Sequence, residues 1–390
     1  MISVFEALFW TASTLTVLPY VIYPALLYIA VALKRKAAPT LAPAQWPSVT
    51  IVVSAHNEEA VIENKIRTTL ALDYPAERLA VVIVSDASTD ETNAIVDRLA
   101  AEDPRVRLVE ILEHRGKTAG LNIAMETITS DVVIFTDANA IFAADAVREI
   151  ARELNGENVG YVVGSALYTS EPGSTAGGNE GLYWQYELSI KRLESAFESV
   201  IGGDGAIYGI WRRHYEPLAA EDINDFMNPL HIIGAGYRGV FSANARAFED
   251  PANDFGKEFR RKRRIVCRTW GALLRYGIGH LYKANPRYAV MLVAHKVVRW
   301  CTLLWAAIAL ACNVAVLMLG GPGIYVLTCG LIVLSIILAL IGWRRSGAGP
   351  EVPALFGIPY YFYLSNLAAL LGIIDYARGN RYVTWQHVRS

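Results

Sequence analysis

The stretch VTIVVSAHNEEAVIENKIRTTLAL, residues 49–72, changes its period in the middle. Residues 49–55 are short, uncharged and β-branched, the pattern of a strand buried on both faces. From His56 onward the apolar residues fall at helical spacing, which predicts a helix over 56–72. The same alternation continues. LAVVIVSD (79–86) reads as a second buried strand, and STDETNAIVDRLAAE (88–102) as a second helix, with Ser88 or Thr89 as N-cap and Glu91 in the first turn. VRLVEI (106–111) reads as a third strand, KTAGLNIAMETI (117–128) as a third helix and DVVIFTDA (131–138) as a fourth strand. Strands alternating with helices predict an α/β protein with a doubly wound, mostly parallel sheet. Such sheets bind ligands beyond the carboxyl ends of their strands.

Polar residues cluster at those ends. The first strand closes on Ala55 and runs into His56, Asn57 and Glu58; the second closes on Asp86, with Asp90 behind it. The third leads to EHRGKTAGLN, which holds Gly116, Lys117 and Asn122, and the fourth closes on Asp137 with Asn139 two places on. One such cluster is ordinary turn chemistry. Four in register suggest a site. Lys117 follows a glycine at a helix start, where free N–H groups and the helix dipole favour phosphate. Asp137 and Asn139 offer hard oxygen atoms suited to magnesium or manganese bridging a diphosphate with one or two protein ligands. The chain has no G-x-x-x-x-G-K-[ST] and no G-x-G-x-x-G after the first strand, which argues against an ATP-cleaving loop and a dinucleotide site.

The flanks differ from this middle. Hydrophobic residues are 53% of the 390, and they concentrate at both ends. Residues 4–33 are interrupted by one charge, Glu6, and residues 302–342 and 352–374 by none. A membrane span needs roughly 20 apolar residues, which predicts spans near 8–32, 300–319, 323–342 and 354–374. The first lacks the basic start and small-residue cleavage site of a signal peptide, so it reads as a retained anchor. Lys34, Lys36 and Arg35 follow the first stretch and Arg344 and Arg345 the third, which puts residues 37–299 in the cytoplasm. A full fourth span would then leave Arg378, Arg381 and Arg389 outside, so that stretch reads equally as re-entrant or interfacial. Residues 286–300, mixed apolar and basic, read as a helix along the membrane surface. Tyr360, Tyr361, Tyr363 and Trp385 read as an interfacial aromatic belt, or alternatively as an acceptor path. The four cysteines form no C-x-x-C pair, and a net charge of −1 gives no nucleic-acid signature.

VSAHNEE, VSDASTDET, HRGKTAGLN and FTDANA, in that order and spacing, resemble the family 2 glycosyltransferases, inverting enzymes of A-type fold that use nucleotide-diphospho-sugars. The resemblance implies a donor site of Ala55, Asn57, Glu58, Asp86, Lys117, Asn122 and Asp137, with Asp86 at the uracil of a UDP-sugar. It implies a divalent cation, manganese or magnesium, at Asp137 and Asn139 in place of the family's D-x-D. GGDGAIYGIWRR (202–213) resembles the acceptor-side segment, with Asp204 and Gly205. The family's base lies eleven residues before a Gly-Tyr pair; here that pair is Gly236-Tyr237, and the ruler selects Asp225 over the Glu221-Asp222 pair. In EFRRKRRIVCRTW (258–270), Arg261, Arg264 and Ile265 stand where the family has the Gln, Arg and Trp of Q-x-x-R-W, so Arg261 and Arg264 are placed on the acceptor side; Trp270 is a candidate substitute for the lost ring. The basic run 260–264 reads alternatively as a lipid-headgroup patch.

The expected organisation is an anchor (1–36), a cytoplasmic transferase domain (37–285) and an interfacial helix with a membrane region (286–390), in a bacterial inner membrane. The expected activity is hexosyl or N-acetylhexosaminyl transfer from a UDP-sugar to a growing polysaccharide. Single-sugar transfer to a lipid-linked acceptor is the alternative, and a non-catalytic nucleotide sensor the reading from another class. The partners implied are the nucleotide sugar, a carbohydrate or lipid-linked acceptor and membrane lipids, with no nucleic acid.

Overall fold

The computed structural model describes residues 2–34, 40–168, 175–249, 255–346 and 352–384. Lys36, Arg35, Trp385 and Arg389, named above, lie outside them. The chain opens on α1 (Ile2–Leu33), long and apolar enough to cross a membrane. It then enters an eight-stranded sheet of order β3-β2-β1-β4-β7-β6-β8-β5.

The first four strands are those the sequence predicts: β1 (Val49–Ala55), β2 (Leu79–Asp86), β3 (Val106–Ile111) and β4 (Val132–Asp137). All three pairings among them are parallel. Register brings their carboxyl ends level, with Ser54 beside Asp137 and Ala55 beside Ser85. The second half is mixed: β5 (Ile141–Phe142), β6 (Val159–Tyr168), β7 (Tyr208–Trp211) and β8 (Arg238–Glu249). β7 runs antiparallel to both β4 and β6, while β6 and β8 are parallel.

Strand residues divide between two cores by the period of two. Ile51, Val53, Val81 and Ile83 pack with α2 (Ile62–Leu70), α3 (Thr92–Glu102) and α5 (Ala146–Leu154), through Ile66, Leu99 and Ile150. Val52, Val82, Val84 and Phe135 face the other way, onto α4 (Lys117–Thr127) and α7 (Asn224–Gly234). α6 (Thr175–Phe197) completes that layer through Leu188 and Ile190.

Two helix starts differ from expectation. α2 begins at Ile62, because residues 56–61 form a turn with Asn57 at φ 55°. That turn is held by Asn57 Oδ1, which accepts the Thr89 N–H at 2.8 Å. α3 begins at Thr92, so Ser88 and Thr89 are not its N-cap and Glu91 precedes it. The cap position is Glu91, whose side chain makes no capping bond; Asp90, one residue before it, accepts the N–H of Thr92 at 3.1 Å and of Glu59 at 3.0 Å.

After the sheet come α8 (Phe255–Tyr276), α9 (Ile278–Ala284), α10 (Pro286–Trp300) and α11 (Thr302–Met318), then α12 (Ile324–Ser346) and α13 (Ala354–Ala377). α12 and α13 meet the length and apolarity of a span, and α10 and α11 meet at 65°, as a broken span or a re-entrant pair. Residues 286–300 therefore do not lie free along a surface. Tyr288, Leu292 and His295 are buried, and His295 Nδ1 lies 2.6 Å from Glu194 on α6. Unpaired charges there would be costly, and the partners on α6 draw the helix inward. α1 is likewise more than an anchor. Tyr23 and Leu27 belong to the core that holds Leu188, Leu292 and Trp300, and Tyr23 donates its hydroxyl to Glu194 at 2.8 Å. Lys34 donates to the carbonyls of Ala196 and Phe197, capping α6.

Candidate active site

A cavity of about 810 Å³ opens at the carboxyl ends of β1 and β4, and Glu58, Lys117, Asp137, Asn139, Asp204 and Asp225 line it. Lys117 is the first residue of α4, after Gly116 at φ 87°. Its Nζ lies 2.5 Å from Asp137 Oδ1, and the Asp137 side chain keeps 42% of its surface exposed. Asp204 Oδ2 accepts from Lys191 at 2.8 Å.

Asp225 enters from the first turn of α7, where the helix dipole favours a carboxylate. The glycine-rich segment wraps it, with the Gly203 N–H donating to the Asp225 carbonyl. Gly205 stands between the two carboxylates. A Cβ there would sit 3.2 Å from Asp137 Oδ2 and 3.6 Å from Asp225 Oδ2. Gly205→Ala should therefore leave the fold intact and slow turnover about tenfold or more, because a misplacement of ~1 Å costs ~10²-fold in such sites. Wild-type kinetics in a folded Gly205→Ala variant would show that nothing reacts at that point.

Enclosure outweighs the dipole at Asp225. Burial, then the negative charges of Asp204 and Asp137, push its carboxyl up to about 6, against the lowering pull of Lys117 and Arg268. A base acts as the carboxylate. Its contribution is complete above that value and is lost as pH falls through it, so kcat/KM should drop about tenfold per pH unit below ~6. A flat profile from about pH 5 to 8 would remove Asp225 from the role.

Asp222 is differently placed. It pairs with Arg275, accepts the Ala219 N–H at 3.0 Å, and its carbonyl accepts from Thr118 at 2.6 Å. Glu221 also meets Arg275, at 3.4 Å. Both acids hold the loop that delivers α7.

Several residues expected at the donor have hydrogen-bond partners within the protein. Asp86 is 1% exposed; it accepts the N–H of Arg115 at 2.9 Å and of Gly116 at 2.8 Å, and His114 Nδ1 lies 2.9 Å away. It shapes the Gly116–Lys117 loop. Val383, beyond α13, also lies against that loop, its carbonyl filling the space a Cβ at Gly116 would need. Asn122 does not reach the cavity: its amide clamps Tyr215 and Leu218 at 2.7–3.0 Å. Ala55 is fully buried and Asn57 is spent on its turn, so neither presents a side chain to the cavity.

The basic run is mostly paired. Arg261 and Lys262 meet Glu258 at 2.7 and 3.3 Å, and Arg263 meets Asp375 of α13 at 2.5 Å. The first two pairs lie within α8, and the third ties α8 to α13. Arg261, Arg264 and Ile265 do line the cavity. Trp270 does not; it packs edge-on at 6.0 Å against Trp300, whose residue does line it. Lys191 and Trp300 also line the cavity, and Lys65 is buried against Thr136 and Ala140; sequence reasoning overlooks all three. Lys65 had a local signal: it shares the stripe of Ile62, Ile66 and Thr69 on α2.

The donor set fits a divalent cation. Asn139 Nδ2 donates to Glu249 at 3.1 Å, so its amide oxygen is not used in that bond, and both Asn139 and the half-exposed Asp137 line the cavity. Among the described residues no three His, Cys, Asp or Glu side chains form a closed ligand set. An open pair of hard oxygens suits magnesium or manganese, which take further ligands from phosphate and water.

Residues 50–215 match the Glycosyl transferase family 2. A beta-monoglucosyldiacylglycerol synthase of Synechocystis sp. is 37% identical over 107 residues, 27% of this chain and 22% of that protein. An N-acetylglucosaminyltransferase of Rhizobium sp. is 29% identical over 136 residues, 32% and 30% of the two chains. The match spans less than a third of either relative's length. A mannosyltransferase from Pyrobaculum calidifontis, solved in complex with GDP-Man and Mn2+, superposes with a TM-score of 0.70 over 94% of this chain and 99% of its own, at 23% identity. That likeness establishes the A-type fold.

Proposed function

The chain carries a family 2 glycosyltransferase domain, and from that premise we propose that it moves a sugar from a UDP-sugar to a carbohydrate growing at the membrane. The observation that carries this reading is the continuity of one cavity. Asp137, Lys117 and Asp225 line it together with Tyr20 of α1 and Ile358 and Phe362 of α13. Donor-side acids and membrane-helix side chains face one space, so an acceptor can arrive from the membrane while the donor arrives from the sheet.

In this mechanism Asp225, as the carboxylate, takes the proton of an acceptor hydroxyl. The freed oxygen attacks the anomeric carbon as the bond from that carbon to the diphosphate breaks, and the configuration inverts in a single displacement. Lys117 turns from Asp137 toward the departing phosphates. Asp137 and Asn139 would hold a divalent cation, which would supply charge stabilisation for the same phosphates. Enclosure strengthens each of these electrostatic contacts. Hexosyl and N-acetylhexosaminyl donors both suit the site. We place the protein in the membrane as a multi-pass chain with the transferase domain on the cytoplasmic side, from the basic residues that follow the first and third apolar stretches.

A second reading, addition of one sugar to a lipid-linked acceptor, is favoured by Ile265. It lines the cavity where processive relatives have the stacking Trp. The experiment is a panel of nucleotide sugars offered to the full chain in detergent with Mn2+, read by nucleoside diphosphate release and by mass spectrometry of the product. Growth by repeated units of one sugar supports the leading reading. A single addition selects the second, and no release from any donor contradicts both in favour of a nucleotide-sensing role.

A further inference from the structure

Lys65 has no exposed surface. A lysine is rarely buried unless its amine has partners, and here the partners bracket the Asp137–Asn139 turn. The Nζ donates to Thr136 Oγ1 at 3.1 Å, one residue before Asp137, and to the carbonyl of Ala140, one residue after Asn139. It also sits 4.2 Å above the Phe142 ring. The Thr136 hydroxyl in turn donates to the Ala206 carbonyl at 2.7 Å, and the Ala206 N–H donates to Asp204 Oδ1 at 3.2 Å. One amine therefore ties the turn that carries Asp137 to the segment that carries Asp204 and Gly205. Ammonium and neutral amine both keep two N–H groups, so the tie does not depend on the protonation state.

We propose that Lys65 is a positioning residue of the transfer site, an internal strut that holds Asp137 and Asn139 in the arrangement that receives a divalent cation with the donor diphosphate. The proposal rests on the reading of Asp137 as a cation ligand. Two effects of Lys65 oppose one another. Its charge lies near Asp137 and repels a cation, whereas its hydrogen bonds fix the ligand geometry. Ligand sets must be held within about 0.5 Å to function, and the strut spans both ends of the turn, so geometry dominates.

The test uses the full chain in detergent with two variants. Lys65→Met keeps the length and apolar stem, and Thr136→Val keeps the shape of its site. Mn2+ binding is measured by electron paramagnetic resonance with UDP and, separately, GDP as the nucleotide. Lys65→Met should weaken Mn2+ binding about tenfold, and Thr136→Val less, in line with the ~10–100-fold cost of losing outer partners of metal ligands. Metal-free nucleotide affinity should be unchanged and the melting temperature equal or higher. The Mn2+ concentration for half-maximal rate should rise, with kcat at saturating Mn2+ kept within about threefold. Unchanged or tighter Mn2+ binding in Lys65→Met overturns the proposal, since repulsion or core packing alone would then describe the residue. Should Lys65→Met not fold, unchanged Mn2+ binding in Thr136→Val overturns it equally. A wild-type chain that binds no Mn2+ with either nucleotide overturns both the proposal and the Asp137 reading, a result distinct from wild-type binding that survives the substitutions.

Discussion

Asp225→Asn is expected to bind the nucleotide sugar as the wild type does and to transfer it ~10²–10⁴-fold more slowly, the range for loss of a general base. The substitution is nearly isosteric, and the Asp225 carbonyl keeps its bond from Gly203, so the wrapped segment should persist. The amide cannot take the acceptor proton. Removing a partly enclosed charge that burial already disfavours should not destabilise the fold, and a small gain in melting temperature is consistent with the raised carboxyl. Asp222→Asn is the informative partner. Its carboxylate pairs with Arg275, which is one-third exposed, so its loss should cost roughly 1–2 kcal/mol of stability after solvent screening. Transfer per folded molecule should be close to wild type. Donor affinity by calorimetry, set beside product formation, separates the two variants. An active Asp225→Asn with a dead Asp222→Asn would mean that the Gly236-Tyr237 ruler counts from the wrong carboxylate.

Asp137→Ala should abolish measurable turnover, with a loss of about 10³-fold or more, because cation-borne charge stabilisation is worth several kcal/mol in such sites. Its UDP affinity in Mn2+ should fall to the metal-free value, while the metal-free affinity stays near wild type. The separation matters because Lys117 shares the same oxygen at 2.5 Å. Freed from that pair, Lys117 can meet phosphate without metal. Lys117→Ala should accordingly weaken UDP binding with or without Mn2+. Metal-stimulated transfer retained in a folded Asp137→Ala protein would move the cation elsewhere.

The parallel half of the sheet was legible because buried parallel strands announce themselves as short β-branched runs, and β1 to β4 all do. The mixed half was not. β7 is four residues long inside a glycine-rich segment, and its place beside β4 depends on contacts far along the chain. Helix starts were misread at His56 and Ser88 because Asn, Ser and Asp suit a turn as well as a cap; Asn57 and Ser88 hold the turn, and Asp90 holds the helix. At the site, strand ends located Lys117, Asp137 and Asn139, and the spacing before Gly236-Tyr237 located Asp225, which lines the same cavity. Residue type alone did not reveal that Asp86 and Asn122 also hold loops. An Asp or Asn that binds a ligand and one that holds a loop look alike until its partners are known, and theirs are loop groups. Residues 286–300 misled in a related way. His295 and Arg299 read as surface charge, yet their carboxylate partners Glu194 and Glu187 lie on α6, about a hundred residues earlier.

In the proposed reaction Asp225 is the sole base in a single displacement across the Asp137–Lys117 clamp. The most direct measurement is the anomeric configuration of the first product formed from an α-linked nucleotide sugar, read by nuclear magnetic resonance before the product can rearrange. A β-linked product is expected from the wild-type chain. An α-linked product would require a second displacement or attack from the leaving-group face, and would contradict the roles assigned here to Asp225 and Asp137.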